Sequence, residues 1–204
     1  MNLIGLVISF GLLMIAMTVH EFAHGWVAYK LGDNTAKYSG RLTLNPLAHI
    51  DPVGTILLPL VLFITTAGHF VFGYAKPVPI NYWGLKNPKR DMGLIGVSGP
   101  LANFFLAVAL SFLWKQLADQ SMLKMVLEYL ITINVVLGVF NLLPIPPLDG
   151  SRILLSILPE PLASRFAQTD RYGFIFLLIF IALGLTSIIW PVVNMILRLL
   201  GVVV

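Results

Sequence analysis

Long apolar runs separated by short polar loops constrain the fold of this chain more than any other feature of its sequence. Three of them exceed the roughly 20 apolar residues that an α-helix needs to cross a bilayer: residues 3–31, 92–117 and 122–143. A last apolar run, residues 172–203, contains Pro191, next to which we expect a kink or a break. Hydrophobic residues make up 58% of the chain and charged residues only 11%, against roughly 25% charged in soluble domains. We therefore predict an all-α polytopic membrane protein, with residues 1–204 forming one transmembrane domain.

The first run is predicted to be a retained transmembrane helix rather than a signal peptide. It has no basic n-region and no small-residue cleavage site, and it leads directly into a polar box that begins at His20. As a helix, residues 3–31 would be ~43 Å long, so we expect the C-terminal end to emerge from the bilayer.

Residues 53–72 are also apolar, but Pro59 and two glycines interrupt them, which fits either a full crossing or a broken, re-entrant segment. The two long helices that follow form a hairpin, so the start of one and the end of the other share a side. The first helix ends on that side only if residues 53–72 do not cross once. If the polar segments near these three helix ends are to meet, a single crossing is ruled out, so we favour a re-entrant hairpin or an in-plane helix there. In residues 74–81, two prolines favour a small extended element.

The formal charge of +4 comes from basic residues scattered through the loops rather than clustered in one patch. They lie at the end of the first apolar run or after it, and before the run at residues 92–117: Lys30, Lys37, Arg41, Lys76, Lys86, Lys89 and Arg90. This pattern is typical of interface anchors and not of a nucleic-acid-binding surface. The predicted partner is the lipid bilayer of the cell membrane, crossed several times, with the loop face towards the cytoplasm.

The segment from His20 to His24 is an H-E-x-x-H box at the wet end of the first helix. One helical turn separates the two histidines, so both imidazoles point the same way and can bind one metal ion, with Glu21 alongside as a candidate general base. The alternative is a set of polar groups at a helix end. Three ionisable groups within five membrane residues need compensation, which favours the metal.

A third metal ligand has few candidates, because the chain has no cysteine. His49 and His69 are the other histidines; we expect His49 to be a plain loop residue and His69 to be interfacial. Asp149 follows a cluster of three prolines that interrupts the membrane helices. By itself, Asp149 is as well explained as the cap of the short helix that we predict over residues 149–158.

Two signatures together resemble the site-2 protease family of intramembrane zinc metalloproteases. The first is the H-E-x-x-H box on a membrane helix. The second is a downstream N-x-x-P-x-P-x-L-D-G, matched here by Asn141, Pro144, Pro146, Leu148, Asp149 and Gly150. Between them, residues 96–100 resemble the family's G-x-x-G-P motif. The resemblance covers residues 1–31 and 91–158, and it is to a short form without a PDZ-like or nucleotide-sensing domain.

The resemblance implies that His20, His24 and Asp149 bind Zn²⁺ and that Glu21 is the catalytic base. It implies a zinc endopeptidase that hydrolyses peptide bonds within or near the transmembrane segments of membrane-protein substrates. Asn141 and Asn103 are the candidates for contacts to the substrate, and Gly96 and Gly99 for close helix packing. We also expect residues 74–81 to pair with an extended substrate as a β-strand. A metal-binding membrane transporter and a non-proteolytic zinc scaffold are the alternatives.

Overall fold

The computed structural model describes residues 3–68, 71, 73–119 and 121–202, and within these ranges the chain is helical, without β-strands. The α-helices in this part are α1 (Leu3–Lys30), α2 (Thr35–Tyr38), α3 (Leu58–Thr65), α4 (Pro88–Trp114), α5 (Met122–Asn141), α6 (Asp149–Ile157), α7 (Glu160–Ala167), α8 (Gly173–Ala182) and α9 (Trp190–Leu200). A π-helix, Pro52–Leu57, precedes α3. The all-α class predicted from the sequence is confirmed.

Helices α1, α4 and α5 are long and apolar enough to cross a membrane, as predicted, with ends that differ by a few residues from the expected ones. The last apolar run is broken, because the helices from Glu160 to Ala182 and from Leu185 to Leu200 meet at 83°. The break begins at Gly184, which has a positive φ of 68°. Pro191 lies in the first turn of α9, where a missing N–H costs no hydrogen bond. The break therefore precedes this proline.

Helix α4 lies at the centre of the fold, where it packs against α1, α5 and α6. Small residues permit the close approach of α6. A Cβ atom on Gly93 would lie 2.3 Å from Ser156 Oγ, and one on Gly96 would lie 3.1 Å from the carbonyl oxygen of Asp149. The predicted packing role of Gly96 is confirmed. This contact brings the start of α6 against the face of α4 that also meets α1.

The segment between α1 and α4 leaves and returns at the same end of the helix bundle. Ala28 near the end of α1, Leu85 and Ile95 near the start of α4 form one buried cluster. The apolar helix between them, Pro52–Thr65, is ~21 Å long, whereas a crossing needs ~30 Å. A single crossing by this segment is therefore excluded, as the topology argument expected. His69, which was predicted to be interfacial, lies outside the described residues.

The extended element predicted at residues 74–81 has no regular secondary structure, and its backbone is held from several sides. The N–H of Tyr74 donates to the carbonyl of Gly54 (3.0 Å), and that of Lys76 donates to the carbonyl of His49 (2.9 Å). Val78 is buried against Gly25 of α1. The segment therefore lies along the half of α1 that carries the histidine box.

Candidate metal centre

Three donor atoms from two helices converge beside the C-terminal half of α1. The Nε2 atoms of His20 and His24 lie 3.0 Å apart. Asp149 Oδ2, at the first residue of α6, lies 3.0 Å from His20 Nε2 and 3.1 Å from His24 Nε2. All three side chains are buried. Residues separated by more than 120 positions in the sequence therefore form one candidate metal-binding group.

The backbone of α4 determines which nitrogen of His24 carries the proton. His24 Nδ1 lies 2.7 Å from the carbonyl oxygen of Ile95. A carbonyl oxygen can only accept a hydrogen bond, so Nδ1 must be the protonated nitrogen of a neutral His24 imidazole. The lone pair on Nε2 is then directed towards His20 and Asp149.

Asn103, two turns after Ile95 on α4, determines in the same way which nitrogen of His20 carries the proton. Its amide nitrogen donates to the carbonyl of Ala16 (3.1 Å) and to Asn134 Oδ1 (2.8 Å). Asn134 in turn donates to the carbonyl of Leu130. These acceptors leave the amide oxygen of Asn103 to face His20 Nδ1 at 2.7 Å, so Nδ1 donates and Nε2 carries the lone pair.

This arrangement fits a metal ion and is unfavourable without a cation. Two imidazole lone pairs and a carboxylate oxygen face one another at 3.0–3.1 Å. A tetrahedral zinc ion with bonds of ~2.1 Å holds its ligands about 3.4 Å apart, close to the observed spacing. Metal-binding histidines commonly donate their second N–H to a carbonyl or amide acceptor, as both do here. Two histidines and one carboxylate leave a fourth position for water or substrate.

Asp149 does not act as a helix cap. The N-cap of α6 is Leu148, and the helix has no side-chain capping hydrogen bond. The carboxylate of Asp149 is instead buried, with Oδ2 directed at Nε2 of both histidines. A carboxylate buried in this way needs a cation to compensate for its lost hydration, as a metal ligand does.

Two glycines make room for the centre. A Cβ atom on Gly99 of α4 would lie 2.5 Å from His24 Nε2 and 2.6 Å from His20 Cε1. A Cβ atom on Gly150 would lie 2.3 Å from the carbonyl oxygen of Leu142. The first glycine lets α4 pass close beside both imidazoles, and the second lets the chain after the prolines turn sharply enough to present Asp149.

Glu21, the predicted base, is half-buried on α1 beside the two histidines. Its Oε2 atom accepts a hydrogen bond of 2.8 Å from the backbone N–H of Val78. The segment that was expected to pair with a substrate strand therefore contacts Glu21 itself. Its N–H groups at Tyr74, Lys76 and Val78 already have acceptors, and prolines 77 and 79 have no N–H. Pairing of a substrate strand with this segment therefore stays a prediction.

The two asparagines proposed as substrate contacts lie in different settings. Asn103 is 0% exposed, and α1 and α5 occupy its amide group, so the structure places it behind His20 and out of reach of a substrate. From the sequence, the position of Asn103 in the middle of a helix did not distinguish a contact with the substrate from a contact with neighbouring helices. Asn141 is half-buried and donates to the carbonyl of Leu137 in its own helix (3.0 Å), so its contact with a substrate stays a prediction.

His49 is not part of the centre. It is 0% exposed, and its Nε2 atom lies 3.0 Å from the carbonyl oxygen of Thr43, within the loop after α2. Asn134 was missed from the sequence, although a polar residue inside an apolar helix was a usable signal for a bond between helices. No feature of the sequence indicated the contact of Val78 with Glu21.

Comparison with known proteins identifies the family of this fold and site. The model of peptidase family M50 matches residues 113–185, a span that includes Asp149. A Bacillus subtilis (strain 168) protein named "Putative zinc metalloprotease YwhC" is 41% identical over 192 residues, which cover 89% of this chain and 84% of that protein. The chain therefore belongs to peptidase family M50, the site-2 proteases, and is a zinc-dependent metalloprotease of that type.

More distant relatives agree. "Putative zinc metalloprotease Rip2" of Mycobacterium tuberculosis (strain ATCC 25618 / H37Rv) is 31% identical over 192 residues, covering 93% of this chain and 72% of that protein. "Zinc metalloprotease MJ0392" of Methanocaldococcus jannaschii is 29% identical over 154 residues, covering 75% of this chain and 35% of that protein. No solved structure matches the chain.

Proposed function

We propose that this protein is an intramembrane endopeptidase that cleaves membrane proteins within or near their transmembrane segments. In this proposal His20, His24 and Asp149 bind the zinc ion and Glu21 is the general base. The observation that carries it is the convergence of three buried donor atoms, with both histidine tautomers set by acceptors on α4. Helices α1 and α4, which build the centre, are long enough to cross a bilayer.

The chemistry divides between the metal and the residues around it. When bound, zinc supplies Lewis acidity for the scissile carbonyl and for the attacking water. Glu21 accepts the proton of that water and delivers it to the leaving amine. Asn103 and the carbonyl of Ile95 do not touch the substrate; they hold His20 and His24 in the tautomer that binds the metal.

The depth of the centre suits a reaction that needs both lipid and water. His24 lies six residues before Lys30, the basic last residue of α1, which corresponds to ~9 Å along the helix. Lys30 also stacks over the ring of Trp26, an aromatic residue of the kind found at membrane interfaces. A transmembrane substrate can therefore meet the centre from the bilayer, while water reaches it from the nearby surface.

We infer that this surface faces the cytoplasm of a cell membrane. The segments at the metal-centre end contain ten of the 13 Lys and Arg residues: Lys30, Lys37, Arg41, Lys76, Lys86, Lys89, Arg90, Arg152, Arg165 and Arg171. The turn between α4 and α5, at the opposite end, is flanked only by Lys115 and Lys124. An excess of basic residues in the loops marks the cytoplasmic side of membrane proteins.

Substitution of the proposed base tests this function. Glu21→Gln should retain zinc and lose cleavage of a single-span membrane protein in proteoliposomes by about 100-fold or more, because it removes the proton acceptor. Glu128→Gln, on α5, is the matched control and should cleave like the wild type. Zinc content is measured in parallel. Equal cleavage by Glu21→Gln, or metal-dependent ion flux without any cleavage by the wild type, would contradict the proposal.

A further inference from the structure

The carboxylate of Glu21 has an unusual hydrogen-bond donor, the backbone of a proline-flanked residue. Val78 lies between Pro77 and Pro79, neither of which has an N–H group. The single N–H of this tripeptide is the one that donates to Glu21 Oε2, at 2.8 Å. Val78 is 6% exposed, so water does not compete freely for this bond. We call residues 74–81 the strap.

A buried arginine holds the same part of the strap from its other side. The Nη2 atom of Arg41 donates a short hydrogen bond to the carbonyl oxygen of Lys76 and lies 3.4 Å from that of Pro77. Arg41 is only 7% exposed, and among the described residues no carboxylate forms an ion pair with it. Its Nε atom is buried without an acceptor. A guanidinium in this position costs folding free energy, which points to a role beyond stability.

Arg41 and Glu21 contact opposite ends of one peptide unit. The carbonyl of Pro77 and the N–H of Val78 belong to the same amide group, with the guanidinium at the oxygen and the carboxylate at the nitrogen. In a low dielectric, a charge that is hydrogen-bonded to the oxygen of an amide group polarises that group and strengthens the hydrogen bond donated by its N–H. The guanidinium therefore makes the Val78 N–H a better donor to the Glu21 carboxylate.

The ends of the strap are fixed as well. Thr55 Oγ1 donates to the carbonyl of Tyr74 (2.8 Å), and the N–H of Asn81 donates to the buried carboxylate of Asp33 (2.7 Å). The backbone of Arg41 is itself held by α2, because its main-chain N–H donates to the carbonyl of Ala36. The position of the central peptide is thus determined by the protein, and not by Glu21 alone.

We propose that Arg41 is a positioning residue for the catalytic base, acting through the peptide unit that joins Pro77 to Val78. The strap fixes Oε2 of Glu21, which leaves Oε1 to take the proton of the attacking water. This inference rests on the proposed function of Glu21. It assigns to the strap the orientation of the base, a role that the sequence analysis did not predict.

Substitution of Arg41 tests the inference by kinetics. Arg41→Met removes the donors and keeps an unbranched chain, and it should lower kcat by about 10-fold or more, because a misplaced catalytic group loses its pre-organised geometry. KM and zinc content should stay near wild type. Arg41→Lys, which keeps a charged donor, should recover part of kcat. Arg165→Met, an exposed arginine of α7, is the control. A kcat per bound zinc for Arg41→Met equal to that of Arg165→Met would overturn the inference.

A double-mutant cycle separates positioning from general damage. In a Glu21→Gln background there is no carboxylate to orient, so Arg41→Met should cause little further loss of the residual rate. A structural defect would instead lower the rate by the same factor in both backgrounds. Equal factors would therefore contradict the proposal.

Two substitutions of Val78 isolate its N–H group. Val78→Ala and Val78→Pro both remove the two branched methyl groups of the packed side chain, but only the proline removes the N–H donor. We expect kcat of Val78→Pro to be about 10-fold or more below that of Val78→Ala at equal zinc content, by the same loss of geometry. Equal kcat values for the two variants would show that the N–H group is irrelevant.

A labelling experiment tests the strap independently of proteolysis. The chain has no cysteine, so Ala75→Cys introduces a single thiol into the strap. Its reaction with a maleimide should be several-fold faster when Arg41→Met is added, and unchanged when Arg165→Met is added. If the wild type fails to cleave membrane proteins, the proposed function fails while this result still stands. If cleavage is normal but labelling does not respond to Arg41→Met, the inference alone fails.

Discussion

Acceptors behind the imidazoles decide how the two histidines face each other. The carbonyl of Ile95 and the amide oxygen of Asn103 can only accept from the Nδ1–H groups of His24 and His20. The lone pair of each Nε2 atom is then directed at the candidate metal position before any metal binds. Gly99 contributes by having no side chain, because its backbone passes within contact distance of both rings. The site is therefore pre-organised by groups that do not themselves touch the metal.

Gly99→Ala should disrupt the centre without any change of charge. Its methyl group would lie 2.5 Å from His24 Nε2, so the rings must move, and we expect the affinity for zinc to fall about 10-fold or more. Competition with a chelator measures this affinity. Gly11→Ala is the matched control, since a Cβ atom there meets nothing within 4 Å. Equal affinities of the two variants would show that the rings do not need this space.

Helix α4 is the element that assembles the centre. Ile95, Gly99 and Asn103 recur every four residues and so share one face of α4, which lies against the histidine face of α1. Asn103 also bonds to Asn134 of α5, which ties a third membrane helix to His20. Buried polar bonds of this kind fix the register between helices, because a shifted helix would leave the amides unpaired in an apolar interior.

Asn103→Leu tests this connection, since leucine is close in size but accepts no hydrogen bond. His20 would lose the acceptor that fixes its tautomer, and we expect zinc affinity to fall about 10- to 100-fold, as for other groups that support metal ligands. Zinc affinity is measured alongside the yield of folded protein. Asn194→Leu, at an exposed position of α9, is the control. Wild-type affinity in Asn103→Leu would remove Asn103 from the metal site.

At the scale of the whole molecule, the fold puts the metal centre, the strap and most basic residues at one end of the bundle. Helices α1 and α4 meet there through Ala28 and Ile95, and the short apolar helix between them does not cross to the other side. The far end carries the turn between α4 and α5, and the end of α9 returns to it, since Gly201 lies against Lys115. Charge asymmetry between the two ends predicts the orientation in the membrane.

Single cysteines test that orientation in intact cells. Gln116→Cys, at the far end, should react with a membrane-impermeant maleimide added outside, because this end should face away from the cytoplasm. Lys86→Cys, next to the strap, should react only after the cells are permeabilised. Both positions are exposed, so a difference reports the side of the membrane. The opposite pattern would invert the proposed orientation.

The sequence by itself determined the helical class, the membrane-length helices and the paired histidines of the box, whereas Asp149 as a third ligand was implied by the family resemblance. The first three properties depend on composition, on hydrophobic run length and on the one-turn spacing of the box, all of which are local along the chain. It also favoured a re-entrant or in-plane path for residues 53–72, because the histidine box can meet the two later motifs only if their helix ends lie on one side. Its prediction of one domain over residues 1–204 stays a prediction.

Only the tertiary structure decided what lies behind and beside those ligands. The same residue type, asparagine, supports His20 at position 103 and bonds its own helix at position 141, a difference set by which helix lies opposite. The contact between Val78 and Glu21 involves a backbone amide, which every residue except proline possesses, so no side-chain pattern could announce it. Such contacts depend on distances through space between segments that are remote in sequence.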